Sequence, residues 1–474
     1  MKKKISAILT VAVLVLIIPL SCIITGFALP PQYGATYYAE LPDMVNRLKT
    51  AEGKRIIVVG NSGVAFALRG DLVERELSGY TVCPFGLYGA IGTKTMMDLS
   101  KPHIREGDIV ILAPEQLSQS LSLYFSGEHV LPSVESDWGL LTNLDYKNSS
   151  SIVGNFPAYL GNKFGYWKSG SAPDPKGVYR HDSFDSNCNM VFERPHNVMP
   201  DGVDTNSLIS YDKSVFSEDF ADYVKEYGEL ITKRGATLLF GFVPVNASAI
   251  SPDTTAEDID EYYDYVSEVT GLELLGSPHN YILEKEWFYD NNVHCNSSGA
   301  VVYTRNLVKH LKAYLKDSSK TQIEIPEKPQ LPDGETVDGN DADADCFEYS
   351  ETDGRLTITG LTQKGGERTE LTIPTSFNGK RVTAFSASAF SGNTVIERIN
   401  LQKNIRSIAD SSFNGCTSLK RLYVAKGENP SVCAVYGGLF EGAPNCKIYI
   451  ESSLLSAYAT DYFWARYANL MVAY

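Results

Sequence analysis

The stretch Arg55 to Gly63 reads RIIVVGNSG, and it indicates the fold of the first half of the chain. Its four apolar residues, Ile56 to Val59, are typical of a short buried strand. They lead into a tight turn, Gly60 to Gly63, and a helical pattern follows from Asp71 to Leu77. Open α/β sheets bind ligands at the carboxyl ends of their strands. Ser62 is therefore a candidate nucleophile, although a serine after a strand more often caps a helix or a turn.

The composition is typical of a globular protein and argues against nucleic acid as the main partner. Of the 474 residues, 43% are hydrophobic and 21% are charged, and the formal net charge is −15. Binding to phosphates favours a basic stripe, which this acidic sequence lacks. A chain of this length is expected to fold into two or three units.

The cysteines indicate neither a metal centre nor a disulfide scaffold. They form no CxxC pair and no zinc-finger spacing with histidine. No metal or cofactor is therefore predicted, and spacing alone leaves a Cys433–Cys446 pair open. The cysteines are Cys22, Cys83, Cys188, Cys295, Cys346, Cys416, Cys433 and Cys446.

The N-terminus predicts a membrane anchor. Lys2-Lys3-Lys4 precede an uncharged apolar run of 23 residues, Ile5 to Phe27. A helix of that length spans a hydrocarbon core of about 30 Å. The apolar core of a cleaved signal peptide is shorter, about 7–15 residues, so an anchor over residues 1–29 is favoured over a signal peptide. The positive-inside rule keeps the lysines in the cytoplasm and places the rest of the chain outside.

Strand and helix patterns alternate through residues 30–316. Apolar, β-branched strands that alternate with helices predict an α/β domain with a parallel sheet covered on both faces. The predicted strands are Ile56–Val59, Tyr80–Phe85, Asp108–Ala113, Thr237–Val243 and Leu272–Leu275. The predicted helices are Asp71–Leu77, Thr93–Ser100, Phe216–Arg234, Thr255–Thr270 and Ser298–Leu315. Residues from about 118 to 215 lack clear periodicity and are predicted to form an insertion that covers the substrate.

A second stretch supplies partners for Ser62. Trp287 to His294 reads WFYDNNVH, so that Asp290 and His294 share one loop before the last helix of this domain. In acyl transfer a hydroxyl attacks the carbonyl, an imidazole moves the proton, and a carboxylate orients the imidazole. Each residue alone is more often structural, but together Ser62, Asp290 and His294 are predicted to be catalytic.

These stretches resemble the SGNH (GDSL-type) hydrolase superfamily, most closely its membrane-anchored members from Gram-positive bacteria. The resemblance covers Pro31 to about Leu315, and its first block is Gly60-Asn61-Ser62, where the family usually has GDS or GxS. The last block of the family normally reads D-x-x-H, whereas here Asp290 stands four residues before His294. The resemblance implies a flavodoxin-like domain of three layers, with Ser62 as the nucleophile.

The same resemblance implies an oxyanion hole. Its first donors would be the backbone N–H groups of Ser62 and Gly89, with Gly86 as the alternative to Gly89. The third block of the family supplies an asparagine side chain, but this chain has Ala113-Pro114-Glu115-Gln116 there. Gln116 is therefore the candidate for the third donor. Loss of one such donor typically costs ~10²–10³ in rate.

Residues 317–345 are predicted to be an acidic, proline-containing linker. Asp341 to Asp345 reads DADAD and is similar to the start of a calcium loop. The glycine and the final glutamate of an EF-hand loop are replaced by Cys346 and Thr352, which favours a linker without calcium.

Residues 346–474 contain an internal repeat. The segment from Val382 matches the segment from Ile405, with every matched pair 23 residues apart, and a looser copy surrounds Phe440. A strict period of this size predicts a leucine-rich-repeat solenoid. The consensus resembles the BspA-type repeats of bacterial surface proteins, with Ser453 to Tyr474 as a terminal cap. The strands predicted from the repeat are Arg398–Leu401, Arg421–Val424 and Lys447–Ile450.

The sequence thus predicts an extracytoplasmic serine esterase or acyl-transfer enzyme at the cell membrane, with a single membrane-spanning helix. The resemblance and the predicted location imply that the substrate is an O-acyl ester, chiefly an O-acetyl ester, of a cell-surface or extracellular glycan. The other expected partners are the membrane and a protein or glycan ligand of the repeats. The alternative is a non-enzymatic surface binding or adhesion protein with a degenerate hydrolase fold and ligand-binding repeats.

Overall fold

The computed structural model describes residues 17, 21, 23–199, 202–204, 207–331, 343–352, 354–425, 430, 433–452, 454–461 and 463–474. Most of the predicted anchor lies outside these residues, as do positions 332–342 of the predicted linker, with the first two residues of its DADAD motif. A helical segment over 23–28 is the described end of the apolar run. In the part of the chain that the structure describes, no helix is long and apolar enough to cross a membrane.

A parallel sheet of five strands forms the centre of the first unit, in the order β2-β1-β3-β4-β6. All of its neighbouring strands run parallel, which confirms the predicted mixed α/β architecture with a parallel sheet. β5 and β7 form a separate parallel pair. The strands are β1 (Lys54–Gly60), β2 (Tyr80–Gly86), β3 (Ile109–Ala113), β4 (Thr237–Phe240), β5 (Val245–Asn246), β6 (Glu273–Leu274) and β7 (Ile282–Leu283).

The helices of this unit follow the predicted alternation, with differences at the turn after β1 and in the insertion. They are α1 (Glu40–Thr50), α2 (Ser62–Ala67), α3 (Gly70–Glu76), α4 (Thr93–Ser100), α5 (Gly127–Ser133), α6 (Ser149–Ser169), α7 (Glu218–Lys233), α8 (Ala256–Thr270) and α9 (Ser297–Tyr314). The sequence did not predict α2, because all six of its residues are buried and it shows no polar face. The predicted helix after the turn corresponds to α3.

The described residues of the insertion include two α-helices, α5 and α6, which sequence periodicity did not predict. The longer helix, α6, has 21 residues but buries only Tyr159 and Lys163. A helix that buries so little has no apolar stripe facing the core, and that stripe is the signal that sequence periodicity detects. At α7, by contrast, Ser217 caps the N-terminus by accepting a hydrogen bond from the Phe220 N–H.

A buried ion pair closes one end of the sheet. The Arg55 Nε donates to Asp108 Oδ1 at 2.9 Å, and neither side chain is more than 3% exposed. Arg55 also donates to the Leu48 and His103 carbonyls, so each of its three side-chain nitrogens has a partner. This network joins the start of β1 to α1 and to the residue before β3, at the end of the sheet opposite Ser62.

The repeats form a second hydrophobic core with two sheets of its own. One sheet has the order β10-β13-β15-β17-β18 and the other β16-β14-β12-β9-β8, with β11 paired to β12. The strands are β8 (Phe347–Thr352), β9 (Arg355–Leu361), β10 (Glu370–Thr372), β11 (Ser376–Phe377), β12 (Lys380–Phe385), β13 (Arg398–Asn400), β14 (Ser407–Ile408), β15 (Arg421–Tyr423), β16 (Ala434–Val435), β17 (Lys447–Ile450) and β18 (Met471–Ala473). Two short helices complete it, α10 (Gln363–Gly366) and α11 (Leu455–Thr460).

The register of these strands follows the sequence repeat. Arg398 lies beside Arg421, 23 positions later, and Arg421 lies beside Lys447 of the looser copy, 26 positions later. Inside the repeats, Phe413 stacks between Phe390 and Phe440, with ring centroids 5.5 Å away on each side. All seven cysteines in the described residues are free thiols, so no Cys433–Cys446 bond is formed.

We expect Phe413→Ala to destabilise the repeats by about 3–5 kcal/mol, because it removes a buried ring from a stacked column and leaves a cavity. Hydrogen exchange at β13 and β15 in the full chain measures this loss. Val395→Ala, at a half-exposed position of the same repeats, is the control and should cost less than about 1 kcal/mol. Equal protection in the two variants would contradict the expectation.

Candidate active site

Ser62 lies at the carboxyl end of β1 and is the first residue of α2. Glycines allow the ends of three neighbouring strands to meet here. A β-carbon at Gly60 would clash with the carbonyl oxygen of Ala113 on β3, and one at Gly86 on β2 would lie 2.6 Å from the Asn61 carbonyl oxygen. Ser62 is 7% exposed. The serine thus stands at a closely packed strand end, as predicted, but it begins helix α2 where the sequence predicted a turn through Gly63.

A buried carboxylate that the sequence analysis did not assign contacts this serine. The Ser62 Oγ donates to Glu115 Oε1 at 2.6 Å, and the Gly63 N–H donates to the same oxygen at 2.8 Å. Ser120 Oγ donates to Glu115 Oε2 at 3.1 Å. Glu115 is only 3% exposed. Hydrogen bonds to an ionised acceptor are the strong ones, so Glu115 holds the Ser62 hydroxyl in one orientation.

Asp290 and His294 form the hydrogen-bonded pair that the sequence predicted for one loop. His294 Nδ1 lies 2.8 Å from Asp290 Oδ1, and the Tyr179 hydroxyl donates to Asp290 Oδ2 at 2.7 Å. Both residues of the pair are buried. With Nδ1 directed at the carboxylate, Nε2 is the ring nitrogen left for proton transfer.

The loop that carries this pair is fixed by its own backbone and by the cap of α9. The Tyr289 N–H donates to the His294 carbonyl at 2.8 Å. Asn296 accepts from the Gly299 N–H at 2.8 Å as the N-cap of α9, and its amide donates to the Phe288 carbonyl at 2.9 Å. Hydrogen bonds on both sides of His294 therefore fix the backbone that carries the imidazole.

Phe66 links the two parts of the site. Its ring stacks on the His294 ring, with centroids 3.9 Å apart and planes at 12°. Phe66 follows Ser62 by four residues on α2, so the two side chains lie on the same face of that helix. His294 thus stacks on a residue that lies about one helical turn after Ser62 on α2. No hydrogen bond joins Ser62 to His294 in this state, because the hydroxyl donates to Glu115.

The residues predicted for the oxyanion hole lie in different environments. A β-carbon at Gly89 would lie 3.9 Å from Ser62 Oγ and 3.1 Å from Glu115 Oε2, so Gly89 borders the site. Gln116 does not contact Ser62, since its amide donates to the Ser210 carbonyl at 3.0 Å. In the segment Ala113 to Gln116, the side chain that contacts Ser62 is thus that of Glu115, the residue before Gln116. The roles of Gly89 and Gln116 in catalysis stay predictions.

Tyr37 and Arg194 complete the surroundings, and no motif indicated either. The Tyr37 hydroxyl is buried and has no hydrogen-bond partner among the described residues. Burial raises the pKa of Tyr37 well above its usual value, and the charges of Glu115 and Asp290 raise it further against the effect of Arg194. The pKa of the Tyr37 hydroxyl is therefore raised by both carboxylates of the site.

Arg194 ties the histidine loop to α2. Its Nε donates to the Cys295 carbonyl at 3.1 Å, and its guanidinium also donates to the Phe66 carbonyl at 3.2 Å. Burial lowers the pKa of this guanidinium below its usual range. Arg194 comes from the insertion, where the sequence offers no periodic pattern to identify it.

One group of side chains elsewhere has the composition of a metal site. Glu40, Asp43 and His181 offer ligand atoms within 4.8 Å of one another. Burial, with the nearby Asp43 and Asp185, raises the pKa of Glu40 to about 8. His181 Nε2 already lies 2.8 Å from Asp43 Oδ2. His181 thus already has a carboxylate partner, and we assign no metal to the group.

Comparisons with known proteins give limited similarity. No family model matches the chain, and no curated protein matches it. A leucine-rich repeat protein from Bacteroides ovatus is 21% identical over 22% of this chain and 30% of its own length, with a TM-score of 0.19. Protein YXIM from Bacillus subtilis is 12% identical over 56% of this chain and 57% of its own, with a TM-score of 0.27.

A leucine-rich repeat protein from T. pallidum is 16% identical over 27% of this chain and 93% of its own length, with a TM-score of 0.16. Two of these three solved structures are thus leucine-rich repeat proteins. This chain spans less than two thirds of the length of the other two matched proteins, at 30% and 57%. None of the comparisons identifies an SGNH hydrolase.

We expect Glu40→Gln to stabilise the protein at pH 8 and to change little at pH 4.5. The folded-state pKa of about 8 lies above the ordinary value of 4.5, so the wild type loses stability as pH rises between these values. The gain at pH 8 should exceed about 1 kcal/mol. Urea unfolding at both pH values measures it, with the exposed Glu229→Gln as the control. A wild-type stability that does not fall over this range would contradict the expectation.

Proposed function

We propose that the first unit is a serine esterase or acyl-transfer enzyme of SGNH type. The observation that carries the proposal is the buried His294–Asp290 pair. Its imidazole stacks on Phe66, which follows Ser62 by about one turn of α2. The strand order 2-1-3-4, continued by β6, gives further support, since flavodoxin-like sheets share it and bind ligands at the carboxyl ends of their strands. Ser62 stands at such an end.

The reaction we propose proceeds in two steps. Ser62 Oγ attacks the acyl carbonyl carbon and passes its proton to His294 Nε2, and the alcohol leaves with that proton. Water then attacks the acyl-serine, again with His294 as the base, and releases the acid; a second alcohol in place of water would give acyl transfer. Asp290 orients the imidazole and stabilises its charged form. The N–H groups of Ser62 and Gly89 are the proposed oxyanion donors.

The substrate and the location rest on the resemblance and on the predicted anchor. We propose an O-acyl ester, chiefly an O-acetyl ester, of a cell-surface or extracellular glycan. The anchor would hold the enzyme on the outer side of the cell membrane. The chemistry at Ser62 does not depend on either assignment.

Glu115 distinguishes this site from the family pattern. Its carboxylate accepts from Ser62 and lies next to Gly89, in the region where the oxyanion would form. A negative charge there disfavours a developing oxyanion, and the hydroxyl must turn from Glu115 toward His294 before it reacts. We therefore assign Glu115 a positioning role in the resting state.

A second candidate function is binding through the repeats. The sheet of β10, β13, β15, β17 and β18 borders a groove of about 480 Å³. Arg398 and Lys403 contribute cations to it and Asn400 an amide, and no acidic side chain among the described residues lines it, although Glu370 Oε1 lies 3.4 Å from the Arg398 guanidinium. The Arg398 guanidinium is held 4.3 Å above the Tyr423 ring. Such a lining favours an anionic ligand and supports the alternative of a surface binding protein.

We expect Ser62→Ala to abolish hydrolysis of p-nitrophenyl acetate by the full chain in detergent, because it removes the nucleophile. Mass spectrometry after treatment with a fluorophosphonate should place the label on Ser62. Ser122→Ala, on a nearby loop, is the matched control and should keep the wild-type rate. Equal rates for Ser62→Ala and the wild type would refute the enzymatic proposal.

We expect Glu115→Gln to raise kcat for the same ester by about tenfold or more, because the substitution removes a negative charge and adds an amide donor near the oxyanion. Its Oε1 can still accept from Ser62 and Gly63. Gln116→Ala, whose amide lies elsewhere, should change kcat less than about threefold. A loss of activity in Glu115→Gln would instead give Glu115 a direct catalytic role.

A further inference from the structure

Helix α6 exposes an unusually apolar face. The helix contains no acidic residue, although the chain has 57. Val153 is 71% exposed, Phe164 is 45% exposed and Trp167 is 50% exposed. Between Val153 and Lys168 the exposed positions are Val153, Gly154, Pro157, Ala158, Gly161, Asn162, Phe164, Gly165, Trp167 and Lys168. We call these ten residues the α6 face.

The α6 face is continuous along the helix. Val153, Pro157, Gly161, Phe164 and Lys168 follow one another at intervals of three or four residues, which places them on one side. At 1.5 Å per residue this side is about 20 Å long. Only its last member carries a charge. Contiguous exposed apolar surface of this size on a protein indicates an interaction site.

The opposite side of α6 carries the polar contacts. The Tyr159 hydroxyl donates to Glu135 Oε2 at 2.7 Å, and the Lys163 Nζ lies 3.5 Å from the same oxygen. Lys163 and Glu135 are both buried. The helix therefore turns its ion pair toward the protein and its apolar residues toward the solvent. This arrangement is the reverse of a helix that packs on a core in water.

The described end of the N-terminal apolar run lies against the same helix. Phe27 stacks on Phe156 of α6 with ring centroids 5.5 Å apart, and it meets Trp138 edge to face at 4.7 Å. Ile23 and Ile24, one turn earlier, are 43% and 58% exposed. The exposed end of a run that is long enough to span a bilayer thus adjoins the α6 face.

We propose that α6 lies in the membrane interface, with the α6 face against the lipid bilayer. The apolar run is our reason for choosing the bilayer as the occupant, because residues 23–28 at the end of the predicted anchor lie against α6; the proposal thus rests on that anchor. Trp167 and the 80% exposed Tyr146 are the aromatic types that concentrate at the headgroup level. Lys147 precedes the helix and Lys168 lies in its last turn, where cations favour anionic headgroups. The proposal does not rest on esterase activity.

Tryptophan quenching by brominated lipids tests the contact in the full chain, reconstituted into nanodiscs at one copy per disc. We expect quenching that Trp167→Phe largely removes. Trp464→Phe, at a fully buried position in the repeats, is the matched control and should leave the quenching intact. The conservative replacement at an exposed site keeps the fold, and unchanged circular dichroism verifies this.

Two results would overturn the proposal. The first is quenching that is the same in wild type and Trp167→Phe, which would mean that Trp167 does not reach lipid. The second is a Trp167 that is shielded from aqueous iodide yet not quenched by the brominated lipids. In that case a protein surface, and not the bilayer, covers the α6 face.

Discussion

The Glu115 carboxylate is the constraint on which the candidate site depends. It lies two residues beyond β3, and it accepts hydrogen bonds from the side chain of Ser62 and the backbone of Gly63. It thereby joins the ends of two neighbouring parallel strands through one buried charge. A buried carboxylate without such donors would be costly. The start of α2, the orientation of the Ser62 hydroxyl and the path of the chain after β3 are therefore fixed together.

The sequence predicted what is local and missed what depends on the register of the sheet. The apolar run of β1 and the polar turn after it form a pattern of adjacent residues, so Ser62 could be placed on a turn at a strand end. Asp290 and His294 are four positions apart and could be assigned to one loop. Glu115 is 53 positions from Ser62 in the chain, and the two meet only because β1 and β3 are neighbours. No spacing in the sequence encodes that contact.

The helices show a second limit of the sequence pattern. α2 is buried on all sides, so its sequence shows no alternation of apolar and polar residues. α6 is apolar on the side that faces away from the protein. Periodicity assumes a helix with one side in the core and one side in water. The repeats, in contrast, were predicted well, because the 23-residue period that is visible in the sequence is the same spacing that pairs β13 with β15. A repeated contact requires a repeated sequence, whereas a single contact leaves no such trace.

The position of Phe66 bears on how Ser62 and His294 move relative to each other. One helix of six residues carries both the serine and the ring that supports the imidazole. Arg194 further attaches the backbone of this helix to the residue after His294. We therefore expect Ser62 and His294 to shift together when the sheet flexes. Their separation is protected from fluctuations that would displace them independently if the imidazole were held only by its own loop.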